Sequence, residues 1–298
     1  MGRALTLGYH LVNVFTRDGA PLSGNPLCVF EDGGALDEGR MQALARQFNL
    51  SETTFLLPPT TPAATHRLRI FTPDFEMPFA GHPTLGSAHV ARRLVEATNG
   101  RSPQSLTLEM KAGLIQVVAH RDLWTLSANE PAWAEVEGAD ARLAAALGLE
   151  PGELRNEPGG ARPLWIDTGS NQLVVPLASA EAVARVRPRL DLLDGFRSPA
   201  GRRFAYVFAE AGNGDVVARF LFDADDAVRE DPATGSACAN LGGWYVATGA
   251  EVPLVRRVLQ GDRIRRPSTL LLSVDAAGQV RVGGEVAWLG RGELTIDA

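Results

Sequence analysis

The string Glu76-Met77-Pro78-Phe79-Ala80-Gly81-His82 returns about half a chain later as Glu230-Asp231-Pro232-Ala233-Thr234-Gly235-Ser236, with Glu, Pro and Gly at matching places. Each copy leads into a segment, 83–95 or 236–247, that opens with small and apolar residues on every side. A helix that is apolar all round is a buried helix. Gly86, Gly242 and Gly243 fall inside these two helices, where each costs roughly 1 kcal/mol relative to alanine. The expected return is close approach of the surrounding backbone. Upstream, Gly24-Asn25-Pro26-Leu27-Cys28-Val29 is echoed by Ser170-Asn171-Gln172-Leu173-Val174-Val175. A long-period repeat with one buried helix per copy predicts two homologous halves, each a bundle of strands around a helix.

Strand signals fill most of the remaining chain. Short, β-branched or alternating runs bounded by Gly, Pro, Asn or Asp lie at 4–8, 12–15, 27–30, 54–57, 66–71, 105–109, 113–119 and 123–127. In the second half they lie at 164–167, 171–176, 203–208, 216–222, 270–274, 279–282, 285–289 and 293–296. Asp275-Ala276-Ala277-Gly278 reads as a hairpin turn. Residues 38–48 place Met41, Leu44, Ala45 and Phe48 on one helical stripe behind Asp37 as N-cap. Residues 140–147 and 180–186 read as short Ala-rich helices. The halves are expected to break near Asn129-Glu130-Pro131. That gives an N-terminal domain over 1–129, completed by the final strand at about 290–298, and a C-terminal domain over 130–289.

A chain of 298 residues buries enough surface for such domains without disulfide or metal staples. The 29 Lys+Arg against 35 Asp+Glu leave a net charge of -6, which offers no basic face for nucleic acid or an anionic membrane. No apolar run approaches the ~18 residues of a membrane span. The first residues lack the cationic start and apolar stretch of a secretion signal. Cys28 and Cys238 can build neither a disulfide framework nor a four-thiolate zinc site. A cytoplasmic protein is expected. Two patterns, Met1-Gly2-Arg3-Ala4-Leu5-Thr6 for myristoylation and Asn49-Leu50-Ser51 for glycosylation, are too short and common to change that.

Several chemistries lack their residues. Lys111 is the only lysine, and it sits in a strand-to-strand turn, the context of neither a phosphate loop nor a pyridoxal Schiff base. No Gly-x-Gly-x-x-Gly joins a strand to a helix, so nicotinamide binding has no support. Asp223-Ala224-Asp225-Asp226 misses the calcium-loop spacing, and His82 and His89, seven apart, form no zinc motif.

What remains is the repeated Pro-x-x-Gly turn. Glycine allows a tight turn and close approach of a ligand, and a helix start offers unpaired N–H groups and positive potential. Gly81-His82 and Gly235-Ser236 are therefore candidate anion sites, suited to a small carboxylate. The helix dipole lowers the proton affinity of His82, favouring a neutral imidazole. Ser236 lacks a nucleophile elbow and reads as a cap or ligand-binding hydroxyl. Glu52, between a helix end and an apolar strand, suits a carboxylate that exchanges protons near neutral pH. Asp231 precedes the second turn. For Glu52 the plainer alternative is an exposed loop residue, and for Asp231 a helix-start residue favoured by the dipole.

These motifs together resemble the phenazine-biosynthesis isomerase (PhzF-like) family, within the diaminopimelate-epimerase fold. The matching segments are Val14-Phe15, Gly24-Asn25-Pro26, Ser51-Glu52-Thr53-Thr54-Phe55, Arg69-Ile70-Phe71-Thr72-Pro73, Glu76, Pro78 to Thr84 and Glu230 to Ala237, in family order. The resemblance implies an α+β fold of two pseudo-symmetric domains, each a mostly antiparallel β-barrel wrapped around a central α-helix, with the active site between them. It also implies cofactor-free chemistry and a homodimer. By motif position Glu52 matches the catalytic acid/base and Asp231 the active-site aspartate, while Gly81, His82, Gly235 and Ser236 match the substrate-binding turns. Asn13 stands where many members carry Asp. The family's epimerase and racemase relatives use two cysteines as opposed acid and base. Here those turn positions hold His82 and Ser236.

The resulting expectation is an isomerase in which Glu52 takes a proton from one carbon of a small carboxylate and returns one to another, with Asp231 and His82 orienting polar groups. An epimerase with non-cysteine bases and a non-catalytic metabolite-binding protein on the same fold are the alternatives.

Overall fold

The computed structural model describes residues 4–138, 141–224 and 227–297. The start of the myristoylation pattern, the first residue of the helix expected at 140–147, and Asp225-Asp226 of the acidic run lie outside the described residues. The chain divides into two compact units, residues 1–126 with 283–298, and residues 127–282.

In the first unit the strands are β1 (Ala4–Val14), β2 (Asn25–Phe30), β3 (Thr53–Leu57), β4 (His66–Phe71), β5 (Glu76–Met77), β6 (Ser105–Met110), β7 (Gly113–His120) and β8 (Leu123–Ser127). Two helices join them, α1 (Glu38–Phe48) and α2 (Gly81–Asn99). β1 pairs antiparallel with β2, β2 parallel with β3, β3 antiparallel with β4, β4 parallel with β6, β6 antiparallel with β7, and β7 antiparallel with β8. The last strand of the chain (Val280–Asp297) pairs with both β1 and β8, closing an eight-strand barrel. Helix α2 fills it, touching β1, β2, β3, β4, β6 and β7, and its residues from Gly81 to Ala91 are buried. Helix α1 packs outside, laying Met41, Leu44 and Ala45 on a cluster with Cys28, Phe30 and Phe55. Its N-cap is Asp37, whose Oδ1 accepts from the Arg40 N–H at 2.8 Å.

The second unit repeats this plan. Its strands are β9 (Ala132–Glu135), β10 (Leu164–Asp167), β11 (Asn171–Pro176), β12 (Phe204–Glu210), β13 (Asp215–Ala224), β14 (Ala227–Asp231), β15 (Leu254–Gln260) and β16 (Ser268–Val274), with β17 (Val280–Asp297) the closing strand above. Its helices are α3 (Ala141–Leu147), α4 (Ala180–Arg185), α5 (Leu190–Leu193) and α6 (Gly235–Ala247). From β10 the pairings through β11, β12, β13, β15 and β16 alternate antiparallel and parallel in the same order as from β1. A hairpin strand branches off at the same place in each unit, β5 on β4 and β14 on β13. Helix α6, buried at Gly235 and from Ala237 to Tyr245, packs on β9, β10, β11 and β16. No helix of the described residues is long and apolar enough to cross a membrane.

The helix glycines are packing devices, but what approaches them is strand side chains rather than backbone. A Cβ on Gly86 would stand 2.6 Å from Leu27 Cδ2 and 2.9 Å from Val14 Cγ2, and one on Gly242 would stand 2.6 Å from Val280 Cγ1. Alanine at position 86 gains about 1 kcal/mol of helix propensity, but overpacking a filled core costs about 1–3 kcal/mol. Gly86→Ala is therefore expected to destabilise the protein by up to about 2 kcal/mol. Urea denaturation reads this, and a stabilised variant would contradict the packing.

Candidate active site

In both units a buried ion pair holds the hairpin that leads into the repeated turn. Arg69 on β4 grips Glu76 on β5 in a bidentate pair at 2.5 and 2.7 Å and reaches Glu38 of α1 at 2.7 Å, and Lys111 adds a third contact to Glu76 at 2.5 Å. Burial pushes the Glu76 carboxyl up, but the hydrogen bonds from Arg69 and Lys111 outweigh it and hold the group below the ordinary carboxylate range. In the second unit Arg219 on β13 grips Glu230 on β14 at 2.8 and 3.1 Å and donates to the Val183 and Val186 carbonyls at the end of α4. The glutamate recurring in the repeat thus ties hairpin to outer helix, one element behind the turn.

The turns enter their helices without a side-chain cap. Ala80 is the N-cap of α2 and Thr234 that of α6, and neither makes a side-chain capping bond. Pro83 has no N–H, so the first turn of α2 presents the N–H groups of Gly81 and His82.

His82 is buried, and burial lowers its pKa to about 3 against a smaller opposing effect from a hydrogen bond to the Pro26 backbone. The imidazole is neutral as expected from the sequence, although desolvation rather than the helix dipole is the main cause. Asn25 Nδ2 lies 3.4 Å from Nδ1, and the other ring nitrogen, Nε2, has no hydrogen-bond partner. Glu52 Oε2 lies 3.5 Å from Nε2. That separation is within ion-pair range but longer than a hydrogen bond. Catalytic contacts of this kind commonly tighten only around a bound substrate. Glu52 is not an exposed loop residue: its side chain is 15% exposed, between α1 and β3.

In the second unit Asp231 ends β14, and its Oδ2 accepts from Thr234 Oγ1 at 2.5 Å. Gln260 on β15 fixes this corner, donating to the Asp231 carbonyl at 2.9 Å and to Thr234 Oγ1 at 3.1 Å. Ser236 is half-buried and accepts from Gln172 Nε2 at 3.1 Å. Gln172 in turn accepts from Asn240 Nδ2 at 2.8 Å.

The structure therefore joins Glu52 to His82 in the first unit, and places Asp231, Gly235 and Ser236 along one hairpin-to-helix corner in the second. Asn25, Pro26, Gln172 and Asn240 were not among the sequence candidates. The signal for three of them was present: Asn25-Pro26 and Gln172 lie in the fainter echoed segments, at the starts of β2 and β11, and each meets the second residue of its central helix. Asn13 is buried and donates to the Pro21 carbonyl at 2.7 Å, a bond that the carboxylate of an Asp could not make. Cys28 and Cys238 are fully buried, and desolvation pushes both thiols far up, the environment of inert cysteines. A surface cavity of about 280 Å³ in the second unit, lined by Glu135, Trp165, Phe196 and Arg197 among others, contains none of the candidate residues.

Comparison with known proteins identifies relatives along the whole chain. A family model described as phenazine biosynthesis-like protein matches residues 12–292. An uncharacterized isomerase of Pasteurella multocida is 38% identical, over 97% of this chain and 94% of its own. Trans-2,3-dihydro-3-hydroxyanthranilate isomerase of Pseudomonas aeruginosa is 34% identical, over 95% of this chain and 98% of its own. Among solved structures, a predicted epimerase of Pseudomonas aeruginosa superposes with a TM-score of 0.77 at 31% identity, covering 97% of this chain and 99% of that one.

Proposed function

The chain belongs to the phenazine biosynthesis-like family and is an isomerase, and on that premise we propose that it moves a proton on a small carboxylate-bearing substrate with Glu52 as acid and base. The observation that carries this reading is the contact between Glu52 and a neutral His82. With its pKa lowered to about 3, the imidazole does not hold a second proton at neutral pH, so the carboxyl is the proton carrier of the two. His82, beside Glu52 at Nε2, orients the carboxyl, and Asp231 orients polar groups of the substrate. The N–H groups at Gly81 and Gly235 and the hydroxyl of Ser236 hold the carboxylate and stabilise the negative charge that develops as the carbon loses its proton. The protein acts in the cytoplasm as a homodimer.

Trans-2,3-dihydro-3-hydroxyanthranilate, the compound in the name of several relatives, is the first substrate to test. It is a ring-bearing amino and hydroxy acid, the class that the turns and Glu52 suit. Incubation in D2O followed by NMR is expected to show a rearranged product carrying solvent deuterium at one new carbon. Inversion at a single carbon, with the skeleton otherwise unchanged, would assign epimerisation instead. Absence of both exchange and turnover across a panel of small unsaturated amino and hydroxy acids would defeat the catalytic reading.

A further inference from the structure

Ser236 sits at the end of a hydrogen-bond chain whose direction is fixed at its far end by a backbone group. The Thr168 N–H and Oγ1 both reach Asn240 Oδ1, at 2.9 and 2.7 Å. A backbone N–H can only donate, so the oxygen of the Asn240 amide must face Thr168, and the choice of amide orientation is made by the network. The Asn240 amide nitrogen then faces the Ser170 carbonyl and Gln172 Oε1, both at 2.8 Å. All the bonding capacity of this fully buried asparagine is used. Since Gln172 Oε1 accepts, Gln172 Nε2 is the atom that meets Ser236, and an amide nitrogen can only donate. Ser236 Oγ is therefore an acceptor in this bond, and its own O–H is turned away from the network.

We infer that Asn240 and Gln172 are positioning residues that hold Ser236 as a hydrogen-bond donor to the substrate carboxylate. Without this chain the hydroxyl is free to donate inward and meet an anion with its lone pairs. With it, the serine presents a proton, which a carboxylate requires, and rejects a ligand that has only a donor to offer. The inference rests on the proposed anion role of the Gly235-Ser236 turn and specifies how that turn selects an acceptor.

The test reverses the chain without changing its shape. Gln172→Glu places a carboxylate oxygen opposite Ser236, so the hydroxyl donates inward. Asn240→Asp, the second such variant, forces the Gln172 amide to turn round and has the same effect. Anthranilate, a ring-bearing carboxylate, is the probe, and calorimetric titration is the readout, with thermal melting to establish that each variant is folded. Ser236→Ala is expected to weaken binding about tenfold or more, the size expected for a hydrogen bond to a charged group. Gln172→Glu is expected to weaken it at least as much, its charge adding to the reversal, and the same substitution in a Ser236→Ala background, where no hydroxyl is left to reverse, is expected to cost clearly less than in the wild type. A packing role for Gln172 would instead give additive losses. Wild-type affinity in a folded Gln172→Glu or Asn240→Asp variant, or additivity in the double variant, overturns the inference and leaves the anion reading standing. Failure of the wild-type protein to bind the probe overturns both.

Discussion

Glu52→Gln is expected to lower turnover by about a hundred- to ten-thousand-fold, the contribution of a positioned acid/base group, with little change in substrate affinity. Glutamine keeps the size of the side chain and its contact with His82 Nε2, since its amide offers both a donor and an acceptor. What it loses is the ability to take up and release a proton, so deuterium incorporation from solvent falls with turnover. The pH profile separates the two partners. Burial keeps the His82 pKa at about 3, so a limb between about pH 5 and 8 cannot report that imidazole. His82→Gln should therefore lower kcat without moving the limb. Full turnover with undiminished exchange in Glu52→Gln would remove Glu52 from the chemistry. A limb that vanished with His82 would transfer the role to the histidine.

The same dependence on environment explains which features could be read from the sequence. Local runs with clear alternation, such as 66–71, 123–127 and 164–167, match β4, β8 and β10. The final strand does not: three short strands were expected, and one, Val280–Asp297, is present. The glycines that suggested breaks are positions where other residues press on the strand. A Cβ on Gly284 would meet Phe15 Cδ1 at 2.3 Å, on Gly283 Thr125 Oγ1 at 2.6 Å, and on Gly292 the Tyr9 ring at 2.6 Å. In isolation a strand glycine looks like a breaker; in a closed barrel it is room for a neighbour. The strand β14, with Val228 as its one β-branched residue, carries little strand signal, yet its Glu230 is buried against Arg219.

The candidate site divides in the same way. The repeat located both turns because a turn is a local object. The Asn240 network depends on partners 68 and 72 residues away, and in the sequence Asn240 is merely one polar residue in an apolar helix. Hydrogen-bond direction is a property of pairs, and pairs distant in sequence are not encoded in spacing. Corresponding pairs do recur between the halves, Arg69–Glu76 with Arg219–Glu230, which shows the repeat preserving a three-dimensional arrangement under diverged sequence.

Mild acid is expected to destabilise the first unit before its paired carboxylates titrate. Burial lowers the pKa of His82 from 6.5 to about 3, and burial, with Arg92 nearby, lowers that of His89 from 6.5 to about 4. His89 lies on α2 inside the barrel and accepts from Trp124 Nε1 at 3.3 Å, a bond that a protonated Nδ1 would lose. In the unfolded chain both imidazoles bind a proton below pH 6.5, whereas in the folded protein they do not. The unfolded state therefore gains protons as pH falls, and stability is complete above 6.5 and lost progressively toward the folded values of about 3 and about 4. Each group contributes a slope of up to about 1.4 kcal/mol per pH unit, so the two cost up to roughly 6 kcal/mol by about pH 4. That is comparable to the whole stability of many domains, about 5–15 kcal/mol. Urea denaturation at intervals from neutral to about pH 4.5, followed by hydrogen exchange in α2, measures the slope. His89→Gln, which keeps a polar partner for Trp124, should remove about half of it. A profile flat over this range would mean that the imidazoles find protonated states inside the barrel, and the neutral His82 on which the proton-carrier role of Glu52 depends would fall with it.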